Sequence, residues 1–331
     1  MASHWDQAAK GFRADLAASI DTEAVRALHR LSPGRHVLVA LRQVLLLAAA
    51  VTAYLLWGHH LAVAIVVAIV IGFVVFGFTV LLHEVVHGLV TGARTNRTER
   101  VLAHLYAVPS GLSQAQFTRW HLDHHDELGT TDADPKRAYL TPKIVKRRVK
   151  LLYLTPALFP IYFRAARRAA EGYDPALKRQ IRRERRVAIG FHLAVLGGLG
   201  LGLGWIPALW LHAIPVFIVF PVAFTVNRLG QHYDVDPADP AHWGTLLVRS
   251  PLTWDVLYLW SNYHLEHHYF PRVPCYRLPA LRRELDPFFR ARGIRPRSYA
   301  GLLVDWFVRN KTPHTSWESP GAAAPARPAH G

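Results

Sequence analysis

The sequence predicts an all-α integral membrane protein, with four transmembrane helices in two hairpins beneath a cytosolic helical cap. Three observations predict it. First, 51% of the 331 residues are hydrophobic while the formal net charge is +16, so apolar and basic residues must be segregated along the chain. Second, four apolar runs of about 20 residues stand at 37–57, 62–82, 187–206 and 208–226. Each is long enough to cross a hydrocarbon core of about 30 Å, and four such runs would be unusual in a soluble domain. Third, the links within each pair of runs hold no Lys or Arg, whereas the segments outside them hold nearly all of both. The excess of positive charge marks the cytosolic side, which places both termini and the central section there.

Residues 1–35 read as a polar, partly helical lead-in, and MASHWDQAAKGFRADL lacks the apolar core of a signal peptide. The first run carries Arg42 and Gln43 near its start, where an arginine snorkels to the headgroups. GHHL links it to the second run, which holds no charge and leads directly into His83. Residues 91–186 are polar, with the acidic turn Thr130-Thr131-Asp132-Ala133-Asp134-Pro135 and the basic stretches KIVKRRVK and KRQIRRERR. Within them LLYLTPALFPIYF (151–163) is apolar but too short to span, so an interfacial or re-entrant piece is expected. Only Pro207 and its neighbours separate the third and fourth runs, which implies a tight hairpin. Trp57, Trp205 and Trp210 stand near span ends, as aromatic-belt residues do. The Pro- and Ala-rich stretch 312–331 reads as a disordered tail, leaving 1–311 as one membrane domain. With Cys275 the only cysteine, no internal disulfide and no cysteine-based metal cluster can be built. The spans argue against nucleic acid as the partner of the positive charge.

Histidine carries the chemistry. His83-Glu84-Val85-Val86-His87 sets two imidazoles one helical turn apart, and His121-Leu122-Asp123-His124-His125 and His264-Leu265-Glu266-His267-His268 each set three at i, i+3 and i+4. On a helix those positions lie on one face. With 20 histidines in the chain, HxxHH is expected about 0.07 times by chance, yet it occurs twice. Imidazoles at such spacing read as metal ligands. These eight, with His232 at the end of the fourth run, exceed what one metal needs and fit two, although imidazole does not choose between iron, copper, nickel and zinc. Glu84, Asp123, Glu266, Asp132 and Asp134 are candidates to accept the free ring N–H of ligating histidines. HEVVH also satisfies HExxH, the zinc-protease pattern, but that reading leaves both HxxHH clusters unused. A metal-binding or transport protein without catalysis is a further alternative. The histidines at 4, 29, 36, 59, 60, 104, 192, 212, 242, 314 and 330 are not assigned to the site.

HEVVH, HLDHH and HLEHH resemble the three histidine boxes of the membrane fatty acid desaturase superfamily. The likeness extends through DADP after the second and HHYFPRVPCYRLPAL after the third, covering about residues 60–290. The resemblance implies a non-haem di-iron centre that uses O₂ to remove hydrogen from an unactivated C–H bond. Its metal ligands would be His83, His87, His121, His124, His125, His264, His267 and His268, with His232 as the additional histidine between the last span and the last box. In some members an Asn holds a metal-bound water, and Asn227 and Asn262 are both near enough. The expected reaction is introduction of a double bond into a fatty acyl chain of a lipid or thioester; hydroxylation or carotenoid-type ketolation is the alternative. A separate ferredoxin or cytochrome b5-like electron donor is expected.

Overall fold

A computed structural model describes residues 3–130, 132–235 and 239–314. Among them there is no strand, only an isolated bridge between Leu247 and Arg297. Three short helices, α1 (His4–Ala8), α2 (Lys10–Ser19) and α3 (Thr22–Leu28), open the chain. Ser3 and Asp21 cap α1 and α3 by accepting from backbone N–H groups of the first turn. Their buried residues Trp5, Phe12, Leu16 and Val25 pack on Leu281, Leu285, Phe288 and Phe289 of α14 (Leu278–Ala291). The lead-in is therefore docked on the C-terminal part of the cap.

Among the described residues three helices are long and apolar enough to cross a membrane: α4 (Pro33–Trp57), α5 (Leu61–Val86) and α11 (Trp205–His232). They contain the runs expected at 37–57, 62–82 and 208–226. Their outward residues, such as Val37, Leu38, Leu45, Leu55, Val66, Ile69 and Ile218, are exposed, and an apolar surface of that extent suits hydrocarbon rather than water. Their inward faces build one cluster around Ala50, Tyr54, Ala64, Val67, Ile71 and Leu211. Helices α4 and α5 lie against each other, and small residues let backbones close up. A Cβ on Gly72 would fall 2.4 Å from Val219 Cβ.

The run expected at 187–206 is divided. Residues 187–202 complete α10 (Pro175–Gly202), whose first half is the basic KRQIRRERR. The chain then breaks at Leu203 and Gly204, the latter at φ +99°, a value that favours glycine. The break between the two helices therefore falls at Gly204, and Pro207 lies inside the following helix. Pro207 falls in the first turn of α11, where a missing N–H is harmless. Further along α11, the stretches Leu209–Ala213 and Pro215–Val219 widen to π-helix around Pro215, which cannot supply its own ladder bond.

The cap is built between and after these spans. Helices α6 (Arg97–Ala107) and α7 (Gln114–Asp126) follow α5. Then come α8 (Arg147–Leu152) and the amphipathic α9 (Leu158–Ala169), which takes up the apolar segment expected at 151–163. Beyond α11 lie α12 (Trp254–Leu257), α13 (His264–Tyr269), α14 and α15 (Tyr299–Leu303). Of the tail expected from 312 onward, Thr312–His314 are tied in: Lys150 Nζ donates to Thr312 O at 2.6 Å and Trp306 Nε1 to Pro313 O at 2.7 Å. Residues 315–331 lie outside the described residues.

Gly72→Ala should lower the midpoint of thermal unfolding in detergent, at a cost of about 1–3 kcal/mol from overpacking against Val219. Gly190→Ala is the control, since nothing lies within 4 Å of its added Cβ; equal midpoints in the two variants would disprove the close contact.

Candidate metal centre

The nine histidines singled out in the sequence meet in two groups. His83, His87, His121, His125 and His267 form one, and His124, His232, His264 and His268 the other; within each group the ring nitrogens lie within 4.8 Å of one another. The Nε2 atoms converge: His87 to His121 is 2.8 Å, His125 to His267 is 3.2 Å, and His232 is 3.1 Å from His124 and 3.0 Å from His264.

Helical geometry explains how three sequence clusters make two groups. At 3.6 residues per turn, i and i+4 differ by about 40° while i+3 and i+4 differ by about 100°. Each i,i+4 pair stays together: His83 with His87, His121 with His125, His264 with His268. The i+3 residue of each HxxHH crosses to the other group, His124 to the second and His267 to the first. The expectation that three imidazoles share one face is thereby refined, because each triad serves both groups. The rings of His125 and His268 stack at 4.3 Å between centroids where the groups adjoin. His87 closes α5, His232 closes α11, and α7 and α13 bring the remainder, so two spans and two cap helices meet at one level.

Burial, reinforced by neighbouring positive groups, holds His87, His121, His125, His264, His267 and His268 well below the ordinary imidazole value. Neutral rings keep a lone pair, which is what a metal requires. The donor set of five and four imidazoles fits two borderline transition-metal ions and excludes a hard oxygen-preferring cation such as Mg²⁺ or Ca²⁺.

The candidate acids divide. Asp134 Oδ2 lies 3.0 Å from His124 Nδ1 and orients that ring. Burial pushes Asp134 up, but His124 and Lys136 outweigh it and hold the carboxyl below its usual range. Glu84 Oε1 is 3.6 Å from His83 Nδ1, while Oε2 accepts from the Cys275 backbone N–H at 2.7 Å, tying the first cluster to the segment after the third. Glu266 is paired instead with Arg282, Nη1 to Oε1 3.0 Å, both buried. Asp123 pairs on the outer face with Arg119 at 2.9 Å, and Asp132 is exposed. Of the two asparagines, Asn227 lines the cavity beside the first group, whereas Asn262 donates to Asp255 at 2.9 Å.

Lys136 was not singled out in the sequence. It follows DADP directly, and its Nζ lies 3.3 Å from His121 Nδ1. Burial lowers its amine to about 7, and the contact holds the His121 ring in place. His232 Nδ1 has its own acceptor, the Trp243 carbonyl at 2.7 Å. Other histidines hold the fold: His36 Nε2 is 3.0 Å from Tyr106 Oη, and His192 Nδ1 is 3.3 Å from His212 Nε2. His314, assigned no role in the sequence, is buried beside Tyr233 and lines a small cavity behind His124 and His232.

A largely apolar cavity adjoins the first group. Its wall includes His83, His121, His264 and His267, the apolar set Phe76, Val80, Leu112, Phe117, Trp120, Leu140, Tyr162 and Phe224, and the polar Thr79, Glu84, Lys136, Asn227, Arg228, Gln231 and Ser261. A smaller apolar cavity around Leu158, Phe159 and Phe220 shares Leu112, Tyr162 and Phe224 with it.

A family model described as fatty acid desaturase matches residues 61–300. Among similar curated proteins is the human sphingolipid delta(4)-desaturase/C4-monooxygenase, 26% identical over 243 residues, covering 71% of this chain and 68% of that protein. The soybean chloroplastic omega-3 fatty acid desaturase is 24% identical over 249 residues, covering 68% and 54%. A Drosophila melanogaster sphingolipid delta(4)-desaturase is 26% identical over 216 residues, covering 62% and 61%. The chain thus spans between about half and two thirds of these relatives' lengths. It belongs to the fatty acid desaturase family, a family of oxidoreductase enzymes.

Arg282→Met should destabilise the protein by about 3–5 kcal/mol, because it strands Glu266 as a buried charge. Glu266→Gln combined with Arg282→Met should recover much of the loss. Thermal unfolding of the two variants in detergent tests this; a double variant no more stable than Arg282→Met would count against the pairing.

Proposed function

From this family membership we propose that the chain is an O₂-dependent di-iron membrane oxidoreductase that introduces a double bond into a fatty acyl chain. The observation that carries the reading is the pair of imidazole groups beside a largely apolar cavity. His83, His87, His121, His125 and His267 would hold one iron, and His124, His232, His264 and His268 the other. When bound, the irons supply the redox chemistry that activates O₂ and removes hydrogen from the chain.

The protein's own residues do the rest. The aromatic and aliphatic wall takes up the chain, excludes water and presents one carbon to the histidine end. Asp134, Lys136 and the Trp243 carbonyl fix the ring orientations of His124, His121 and His232. The membrane location fits a substrate that lives in the bilayer. We read the Val187–Gly202 part of α10 as a fourth span, paired with α11 as α4 is with α5. The lysine- and arginine-free links at Gly58–His60 and Gly204 then face outward, and the termini and histidine groups face the cytosol. Electrons come from an external ferredoxin or cytochrome b5-like donor, drawn by the basic cap.

Hydroxylation is the second reading, because a relative at 26% identity carries both desaturase and monooxygenase in its name. Removal of one hydrogen followed by oxygen return gives an alcohol, and removal of two gives an alkene. The protease reading of HEVVH loses ground on a specific contact, since the Glu84 carboxylate is engaged by Cys275 and three further histidines join His83 and His87.

His267→Ala should abolish lipid oxidation and reduce iron content from about two to about one per chain. Mass spectrometry of total lipids from expressing cells should show species two hydrogens lighter with the wild type alone; species one oxygen heavier would move the assignment to hydroxylase. Full activity in His267→Ala would sink the di-iron reading. Asp134→Asn should weaken iron retention about 10–100-fold, measured by iron content after graded chelation; unchanged retention would remove Asp134 from the site. If donor-coupled turnover did not change with added salt, steering by the basic cap would be excluded.

A further inference from the structure

The cavity wall is not uniformly apolar. Thr79 stands one helical turn before His83 on α5 and lines the cavity between Phe76 and Val80. It is 8% exposed, and its Oγ1 has no hydrogen-bond partner. A helical threonine ordinarily back-bonds to the carbonyl one turn earlier, and this one does not. A buried hydroxyl without a partner is costly, so a saturated chain passing it would leave that cost unrelieved.

The same wall carries a second polar element. Asn227 Nδ2 donates to Ser261 Oγ at 2.9 Å, and Gln231 Nε2 donates to Asn227 Oδ1 at 2.8 Å. All three line the cavity beside the histidine end.

We propose that the cavity selects a lipid chain bearing an oxygen function, hydroxyl or carbonyl, a few bonds from the carbon presented to the histidines, and that Thr79 donates its hydroxyl proton to that oxygen. Side chains at i and i+4 on a helix stand about 5–6 Å apart. A group held by Thr79 therefore lies only a few bonds from a carbon held at His83. The inference rests on the lipid-oxidising reading above and narrows its substrate to chains oxidised close to a polar group. A site built to bond a substrate oxygen discriminates strongly against the analogue without it, because its own polar group is then stranded.

The test measures binding to the purified full chain in detergent. The probes are N-palmitoyl sphinganine, its 3-oxo form and its 3-deoxy form. The wild type should hold the better of the two oxygenated probes about tenfold or more tighter than the deoxy probe, and which of them wins tells hydroxyl from carbonyl. Thr79→Val keeps the shape and should collapse the ratio to about one without weakening the deoxy probe, which also shows that the variant is folded. Thr79→Ser should restore the preference. No preference in the wild type, or the same preference in Thr79→Val, would overturn the proposal, as would lipid products oxidised in mid-chain far from any oxygen. An absence of oxidised lipid would instead sink the oxidoreductase reading, while the binding ratios would still decide the role of Thr79.

Discussion

Nine imidazoles packed nitrogen to nitrogen and largely buried are the constraint on which the rest of this structure depends. Each ring wants a hydrogen-bond partner on one nitrogen and a free lone pair on the other. Burial supplies neutrality, since desolvation disfavours the protonated ring. It also forbids loose ends, because a buried polar atom left alone is destabilising. The surrounding chain is largely arranged to meet both demands at once.

The second demand explains the longest connections. Asp134, ten residues beyond His124, turns back to meet its ring. The Trp243 carbonyl takes His232. Glu84 reaches across to the Cys275 backbone. Arg282, itself buried, neutralises Glu266 inside the third cluster. Each link joins a histidine-bearing element to one distant in sequence, so the site and the cap stabilise each other. The N-terminal helices contribute from outside, laying Trp5, Phe12 and Leu16 over the α14 face that presents Arg282 inward.

The cavity gives the site its direction. Its apolar lining, part of it shared with the chamber around Phe159 and Phe220, suits a hydrocarbon tail. The unpartnered Thr79 hydroxyl in that wall suits something other than hydrocarbon. Family membership is common to enzymes that differ in where and how they oxidise a chain, and the residues lining the cavity are where such differences reside.

Much of this was legible in the sequence. The apolar runs at 37–57, 62–82 and 208–226 announced their helices because hydrocarbon demands length and composition that nothing else does. The HxxHH clusters and HEVVH announced the nine imidazoles because helical spacing alone makes them neighbours. The run at 187–206 is shorter in the structure, where the helix ends at Gly202 and the break falls at Gly204 within the neighbourhood of Pro207, and the φ of a glycine is not written in its neighbours. Sequence alone determined that these histidines belong together and that they sit at the end of membrane-length helices. Only the tertiary structure decided which imidazole joins which group, that Glu266 answers Arg282 rather than a ring, and that Lys136 and Thr79 face the cavity. Those outcomes depend on the relative rotation and packing of helices far apart in the chain, which no local spacing encodes.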